Sequence, residues 1–340
     1  MSKNARKGKF SKFRTVAGVG LLTVLVIGCA LLGRQIHTEK ERIRMQQMLQ
    51  NLYGGSSTAQ AEALTDPTEA PAAEPAPVVE ETKTEEETKT EETAQSDVVQ
   101  IAAAPAQPTA VPAAPVATAE PAEGELVFQE DFAQLYAVNN DLVGWIDVGN
   151  HMSMPVVYRD NSFYLDHDYY GKSDKAGTLF INEANTIWPD GDTPADQNLL
   201  FHGHNMRDGS IFGDLDDYRT TDYLKQNLIV KFRTIYDPEP TDYVIYALFD
   251  CSVEIGASGY FDVGYINFDD DVEFSYYTQG AIGRSFYNMP YDVQRDDKMV
   301  TLLTCSYSND NGRFVLFCRA LRDGETEESI LEQADQITHK

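Results

Sequence analysis

The spacing of apolar and polar positions divides the 340-residue chain into stretches of different kinds. Residues 15–33, TVAGVGLLTVLVIGCALLG, carry no charge and are long enough to cross a bilayer as a helix. Residues 34–54 are charged and rich in good helix formers, which predicts a juxtamembrane helix. Residues 55–124 are mostly Ala, Pro, Glu and Thr, with a near-repeat at Thr82-Lys-Thr-Glu-Glu86 and Thr88-Lys-Thr-Glu-Glu92. So few apolar side chains cannot offset the entropy of ordering, and prolines with like charges keep such a chain extended. This stretch reads as a disordered tether. From residue 125 aromatics become dense and short apolar, β-branched runs recur between Gly-, Asp- and Asn-rich turns.

Eight of these runs predict strands: 144–148, 154–157, 178–182, 198–202, 228–236, 241–252, 300–305 and 313–321. Many strands with few helices indicate a mainly β domain, a barrel or a sandwich, over 125–325. Helices are predicted at 128–139, from Phe128, Phe132, Leu135 and Tyr136. A second, 269–284, opens on acids that suit a helix N-terminus and falls between the sixth and seventh predicted strands. A third, 326–337, forms the C-terminal segment 326–340, with Thr326 as N-cap ahead of Glu327 and Glu328.

Charge adds direction. The chain carries a net −27, yet residues 1–54 hold ten Lys and Arg against two Glu, and Lys3, Arg6, Lys7, Lys9, Lys12 and Arg14 precede the apolar run. The positive-inside bias therefore leaves residues 1–14 as a cytoplasmic tail and places everything after residue 33 outside the cell. A cleaved signal peptide and a lipoprotein processing site at Cys29 are alternatives, and both also export the rest of the chain. Residues 125–340 hold thirty-eight acids against fifteen Lys and Arg. That balance argues against a nucleic-acid partner, which needs a basic footprint.

The four cysteines, Cys29, Cys251, Cys305 and Cys318, are too few and too irregular for a disulfide framework. Cys251 and Cys318 lie in apolar runs and read as small buried hydrophobes. Cys305 differs. It ends the run Thr301-Leu-Leu-Thr-Cys305, and Arg313 opens the next run after a short polar loop. Adjacent strands would bring a thiol and a permanent cation to one rim, and a thiol needs a cation or a base to be reactive. The candidate bases are His151, His167, His202, His204 and His339. Of these His204 follows the run at 198–202 and falls where a strand ends, a common place for active sites. A His202-x-His204 metal pair lacks the further ligands a zinc site requires. Asp269-Asp-Asp271 has no calcium-loop spacing and reads as a helix-leading acidic turn.

These segments together resemble a class B sortase, a membrane-anchored cysteine transpeptidase of Gram-positive bacteria. Thr301-Leu-Leu-Thr-Cys305 resembles the family's TLxTC box, with Arg313 at the start of the following strand. Gly203-His-Asn-Met-Arg-Asp-Gly-Ser-Ile-Phe-Gly213 is similar to the class's GHNMxDGSMFG segment. Asn140-Asp-Leu-Val-Gly-Trp-Ile146, Met154-Pro-Val-Val157, Asp160-Asn-Ser-Phe-Tyr-Leu165 and Ala176-Gly-Thr-Leu-Phe180 follow the family order, so the likeness spans nearly all of 128–322.

The resemblance implies an eight-stranded sortase barrel with Cys305 as nucleophile, His204 as proton-transfer group and Arg313 on the substrate and oxyanion. Thr304, Ser306 and Ser285 are implied as substrate-lining candidates, and no metal or other cofactor is implied. The implied partners are secreted proteins bearing a C-terminal sorting motif and a peptidoglycan precursor or cross-bridge amine, with the membrane held by the N-terminal helix. A pilus-polymerising enzyme using a subunit Lys, and a non-catalytic binding module, are the alternatives. Two departures stand out: His202 occupies a position where members often have Tyr, and Tyr307 replaces an acid found in some members two residues after the nucleophile.

Overall fold

A computed structural model describes residues 40–54, 126–306 and 312–340. The basic tail, the apolar run at 15–33, Cys29, the tether at 55–124 and Tyr307 lie outside the described residues. Among the described residues no helix is long and apolar enough to cross a membrane.

Eight strands close into a barrel: β1 (Leu142–Val148), β2 (Met152–Tyr158), β3 (Phe180–Ile181), β4 (Asn198–His202), β5 (Ile229–Thr234), β6 (Thr241–Ser252), β8 (Met299–Ser306) and β9 (Gly312–Ala320). Around the barrel the order is β1-β2-β3-β4-β8-β9-β6-β5. Each predicted strand has its counterpart. β3 is shorter than the run suggests, because Thr178 turns its N–H to Tyr164 O (2.9 Å) instead of a ladder partner. Most pairs are antiparallel, but β2–β3 and β4–β8 run parallel. The long strands are buried nearly end to end, as in Gly312–Ala320, because one face fills the barrel and the other is covered by helices and loops.

The helix α1 spans residues 40–54 and belongs to the same compact unit as the barrel. Its apolar face docks on the outside: Leu49 is buried, Tyr53 stacks on Trp145 at 4.4 Å, and Gln50 donates to Ser153 O at 3.0 Å. The predicted helix at 128–139 is a 3-10 turn, Glu130–Phe132, running into α2, Ala133–Val138. Between β6 and β8 stands α4 (Asp271–Arg284), where Asp270 caps the N-terminus by accepting from Val272 N and Glu273 N. A short helix, α3 (Thr221–Gln226), and a 3-10 turn, Gly213–Arg219, follow the β4 loop; the hydrophobic pattern did not predict them.

The C-terminal helix is present but shorter than the spacing over 326–337 predicts. Thr326 caps α5 as expected, but α5 is only Glu327–Leu331. Ile330, Ala334 and Ile337 keep helical spacing and are all buried. The chain nevertheless opens into a 3-10 turn, Ala334–Gln336, and a strand, β10 (Thr338–His339). β10 pairs with β7 (Tyr287–Asn288), which satisfies backbone groups that a continued helix would have satisfied internally.

Arg319 of β9 is 1% exposed and fastens this end of the fold. It grips Glu325 with Nη1 and Nη2 (2.5 and 2.8 Å) and donates from Nε to Asp292 O (2.8 Å). Removing one partner of such a pair strands the other. Arg319→Ala is therefore expected to cost about 3–5 kcal/mol in urea unfolding, whereas Glu325→Gln, which keeps acceptor and donor atoms, should cost less.

Candidate active site

The site is built at the rim where β4 and β8 end together. Their parallel register sets His202 opposite Leu303, and Gly203 N donates to Leu303 O at 3.2 Å. The next residue, His204, is thereby delivered beside the end of β8, where Cys305 stands. On the other side of β8, the antiparallel register pairs Cys305 with Arg313 of β9, and Arg313 in turn pairs with Cys251 of β6. Residues paired across a ladder project from the same face. His204, about a hundred residues earlier in the sequence, thus converges with Cys305 and Arg313.

Two loops hold the imidazole. The first, residues 203–213, folds back so that Phe212 N donates to His204 O at 3.0 Å. Gly213 permits the fold-back, since a Cβ there would lie 2.1 Å from Met206 O. Asn205, buried in this loop, donates from Nδ2 to Cys305 O (3.2 Å) and to Asp216 Oδ2 (3.0 Å), fixing the loop to the end of β8. The second loop contains the 3-10 turn Phe163–Leu165. It presents Leu165 O to His204 Nε2 at 2.7 Å. Gly177 has φ +65° and packs so closely that a Cβ would sit 2.2 Å from Tyr164 O, so no larger residue fits behind this turn.

A carbonyl can only accept, so His204 Nε2 carries the proton it shares with Leu165 O. Nδ1 is left for the Cys305 thiol, whose interaction with the imidazole shifts both groups. The coupling shows in both groups. The hydrogen bond to Cys305 raises the imidazole pKa above its ordinary value, against the effect of burial. The hydrogen bond from His204 lowers the Cys305 thiol, burial opposes, and attraction to Arg313 lowers it further. Both shifts favour a thiolate–imidazolium pair. Among the described residues no carboxylate stands within ion-pair distance of Arg313; its Nη1 donates to Gly312 O at 3.0 Å. Its charge is available to an incoming anion.

The other candidates separate cleanly. His151 stacks on Tyr223, His167 on Phe163, and His339 meets Tyr287 edge-on. Thr304 alternates to the face opposite Cys305 and is buried, its hydroxyl without a hydrogen-bond partner among the described residues. Ser306 is the last residue of β8. Ser285 caps α4 and is buried, its hydroxyl accepting from Leu248 N (3.2 Å) and Tyr287 N (3.3 Å). Its oxygen is committed to these backbone donors. Cys251 and Cys318 are buried free thiols, and burial pushes Cys251 up to about 11. Leu165 O and Asn205 were missed by sequence reading. A backbone acceptor leaves no sequence signal, and Asn205 was visible only as part of the Gly203–Gly213 segment.

His202 lies just below the site. Its ring stacks on Phe180 at 5.2 Å and its Nε2 faces Asn182 Nδ2 at 3.0 Å. Burial first, and Arg313 second, lower its pKa from 6.5 to about 4, so the ring is neutral at working pH. A base depressed on folding binds fewer protons than the unfolded chain. Its penalty is absent above about 6.5, grows as pH falls, and is complete below about 4. The ring keeps some solvent access, so about 3 kcal/mol is a ceiling. His202→Phe is expected to flatten the pH dependence of urea stability across that window relative to wild type.

Comparison with known proteins agrees with this geometry. No family model matches the chain. It is 29% identical to sortase B of Listeria monocytogenes serovar 1/2a over 197 residues, 55% of this chain and 73% of that protein. It is 23% identical to sortase B of Staphylococcus aureus over 195 residues, 56% of this chain and 75% of that protein. Among solved structures, a Bacillus anthracis protein described as similar to sortase B superposes with a TM-score of 0.50 at 25% identity, covering 59% of this chain and 86% of that one. The barrel and these likenesses support a sortase-type transpeptidase. Both curated relatives are sortase B proteins, and their likeness supports class B for this chain.

Proposed function

We propose that this chain cleaves a C-terminal sorting motif of secreted proteins through a thioester on Cys305 and passes the acyl group to a cell-wall peptidoglycan amine. The observation that carries this reading is the meeting of Cys305, His204 and Arg313 at one rim, with the thiol lowered and the imidazole raised by each other. The Cys305 thiolate attacks the scissile carbonyl, and the carbonyl π electrons move onto oxygen. The Arg313 guanidinium faces that oxyanion in a partly desolvated rim, where a fixed charge is worth most. Collapse of the tetrahedral species expels the amine, which takes its proton from the His204 imidazolium, leaving neutral imidazole and the thioester. The incoming amine then loses a proton to His204 as it attacks, and the thiolate leaves. Leu165 O holds the ring in one tautomer throughout both steps.

The likeness to the S. aureus sortase B–substrate complex, with a TM-score of 0.50 at 21% identity, is one of fold. The apolar run at 15–33 and the basic residues before it support a single-pass anchor with the barrel outside, tethered through 55–124. The test is turnover of quenched fluorogenic sorting peptides, with and without added primary-amine acceptors. The reading expects cleavage, and a ligated product that grows with amine concentration at the expense of hydrolysis. Cleavage insensitive to every amine would make the protein a hydrolase and overturn the transfer step.

A further inference from the structure

α1 reaches the catalytic rim through one side chain. Arg42, 14% exposed, places Nη1 on the Asp208 carboxylate and on Ser210 Oγ (3.2 Å), and Nη2 on Asp174 Oδ1 (3.5 Å). These partners belong to the two loops that bracket the imidazole. Asp208 and Ser210 lie in the 203–213 loop that carries His204, and Ser210 also donates to Asp208 Oδ1 through N (3.1 Å) and Oγ (2.6 Å). Asp174 lies in the segment that follows Leu165, where its N donates to Asp166 O (2.9 Å) and its Oδ1 accepts from Ala176 N (2.9 Å). A single cation therefore closes the gap between the loop of His204 and the loop of Leu165 O.

Packing does not fix that gap by itself. A cavity opens between α1 and the barrel at this point, lined by Arg42, Met45, Leu49, Pro155, Tyr169 and Ile211 among others. The loop is also strained: Ile211 has φ 57°, a left-handed conformation that a β-branched residue rarely adopts. A strained loop beside a cavity keeps its shape through its polar ties.

The geometry points to Arg42 as a positioning residue for the reaction: the juxtamembrane helix clasps both loops and so sets the His204–Leu165 hydrogen bond and the orientation of the imidazole towards Cys305. This inference rests on the transpeptidase reading of Cys305 and His204. It makes α1 a working part of the enzyme as well as a connector to the membrane. Its strength comes from exact placement, since displacing a reacting group by an ångström can cost up to about a hundredfold in rate.

The test uses the full chain with Arg42→Ala, Arg42→Lys, Asp208→Asn and the Arg42→Ala/Asp208→Asn pair. Three quantities are read: kcat and KM on a sorting peptide, the pH midpoint for alkylation of Cys305 by iodoacetamide, and the thermal midpoint. Expected are a roughly tenfold fall in kcat for Arg42→Ala and Asp208→Asn with KM within about twofold, and an upward move of the alkylation midpoint. The pair should lose no more than the worse single variant, and Arg42→Lys should retain part of the rate.

Wild-type kcat and an unmoved alkylation midpoint in a folded Arg42→Ala protein would overturn the inference. So would an activity loss that appears only as the thermal midpoint falls, with the alkylation profile unchanged below it. If Arg42→Ala does not fold, Asp208→Asn decides by the same readings. An alkylation profile that ignores His204→Ala would instead sink the site reading, leaving the two failures distinguishable.

Discussion

His204→Ala is expected to lower kcat/KM by roughly 10²–10⁴-fold, the range typical of a positioned acid–base group. The loss falls on both halves of the reaction, because the same ring gives a proton to the leaving amine and takes one from the attacking amine. A second signature separates chemistry from mere damage. The hydrogen bond from His204 is the largest influence lowering the Cys305 thiol. Without it burial dominates, and the pH midpoint for alkylation of Cys305 should rise. The sign is fixed: a thiol that has lost its stabilising donor needs higher pH to ionise. Steady-state kinetics and iodoacetamide alkylation against pH check both effects. A variant with unchanged midpoint and near-normal turnover would remove His204 from the mechanism.

Arg313→Ala should cost roughly 10²–10³-fold in kcat, the scale seen when one oxyanion-stabilising group is lost. Arg313→Lys should recover only a small part, since an ammonium cannot reproduce the planar fork of a guanidinium. Attraction to Arg313 lowers the Cys305 thiol less than the His204 hydrogen bond does. The alkylation midpoint should therefore rise in Arg313→Ala, but by less than in His204→Ala. The two variants differ in kind: one mainly removes the proton carrier, the other mainly raises the energy of the tetrahedral species. A midpoint shift larger in Arg313→Ala than in His204→Ala would reverse that assignment.

Much of the fold was legible because strand-forming runs are local. Val300–Cys305 and Arg313–Leu321 announce themselves by β-branched and aromatic content, and the acids around Asp270 announce the start of α4. The strand order was not legible. β4 and β8 pair in parallel across about a hundred residues of sequence, and nothing in either run names its partner. The C-terminal segment misled because burial of Ile330, Ala334 and Ile337 has helical spacing, while the backbone at Ile337 is extended to feed β10. At the site, Cys305, His204 and Arg313 could be named from motif and resemblance. The supporting groups could not. Leu165 acts through its carbonyl, Asn205 through a bridge to the backbone of β8, and Arg42 from a helix far from the barrel strands in sequence. Ser285, named from resemblance as a substrate-lining candidate, closes the end of α4 with a buried hydroxyl that accepts from Leu248 N and Tyr287 N.

The central claim is an acyl-enzyme on Cys305. Intact-protein mass spectrometry after mixing with a sorting-peptide library, followed by peptide mapping, reads it directly. The account predicts one added acyl group on Cys305 that is released by hydroxylamine and by amine acceptors, and that is absent in Cys305→Ala. An adduct on another residue, an adduct surviving in Cys305→Ala, or peptide cleavage by Cys305→Ala at the wild-type rate would contradict it.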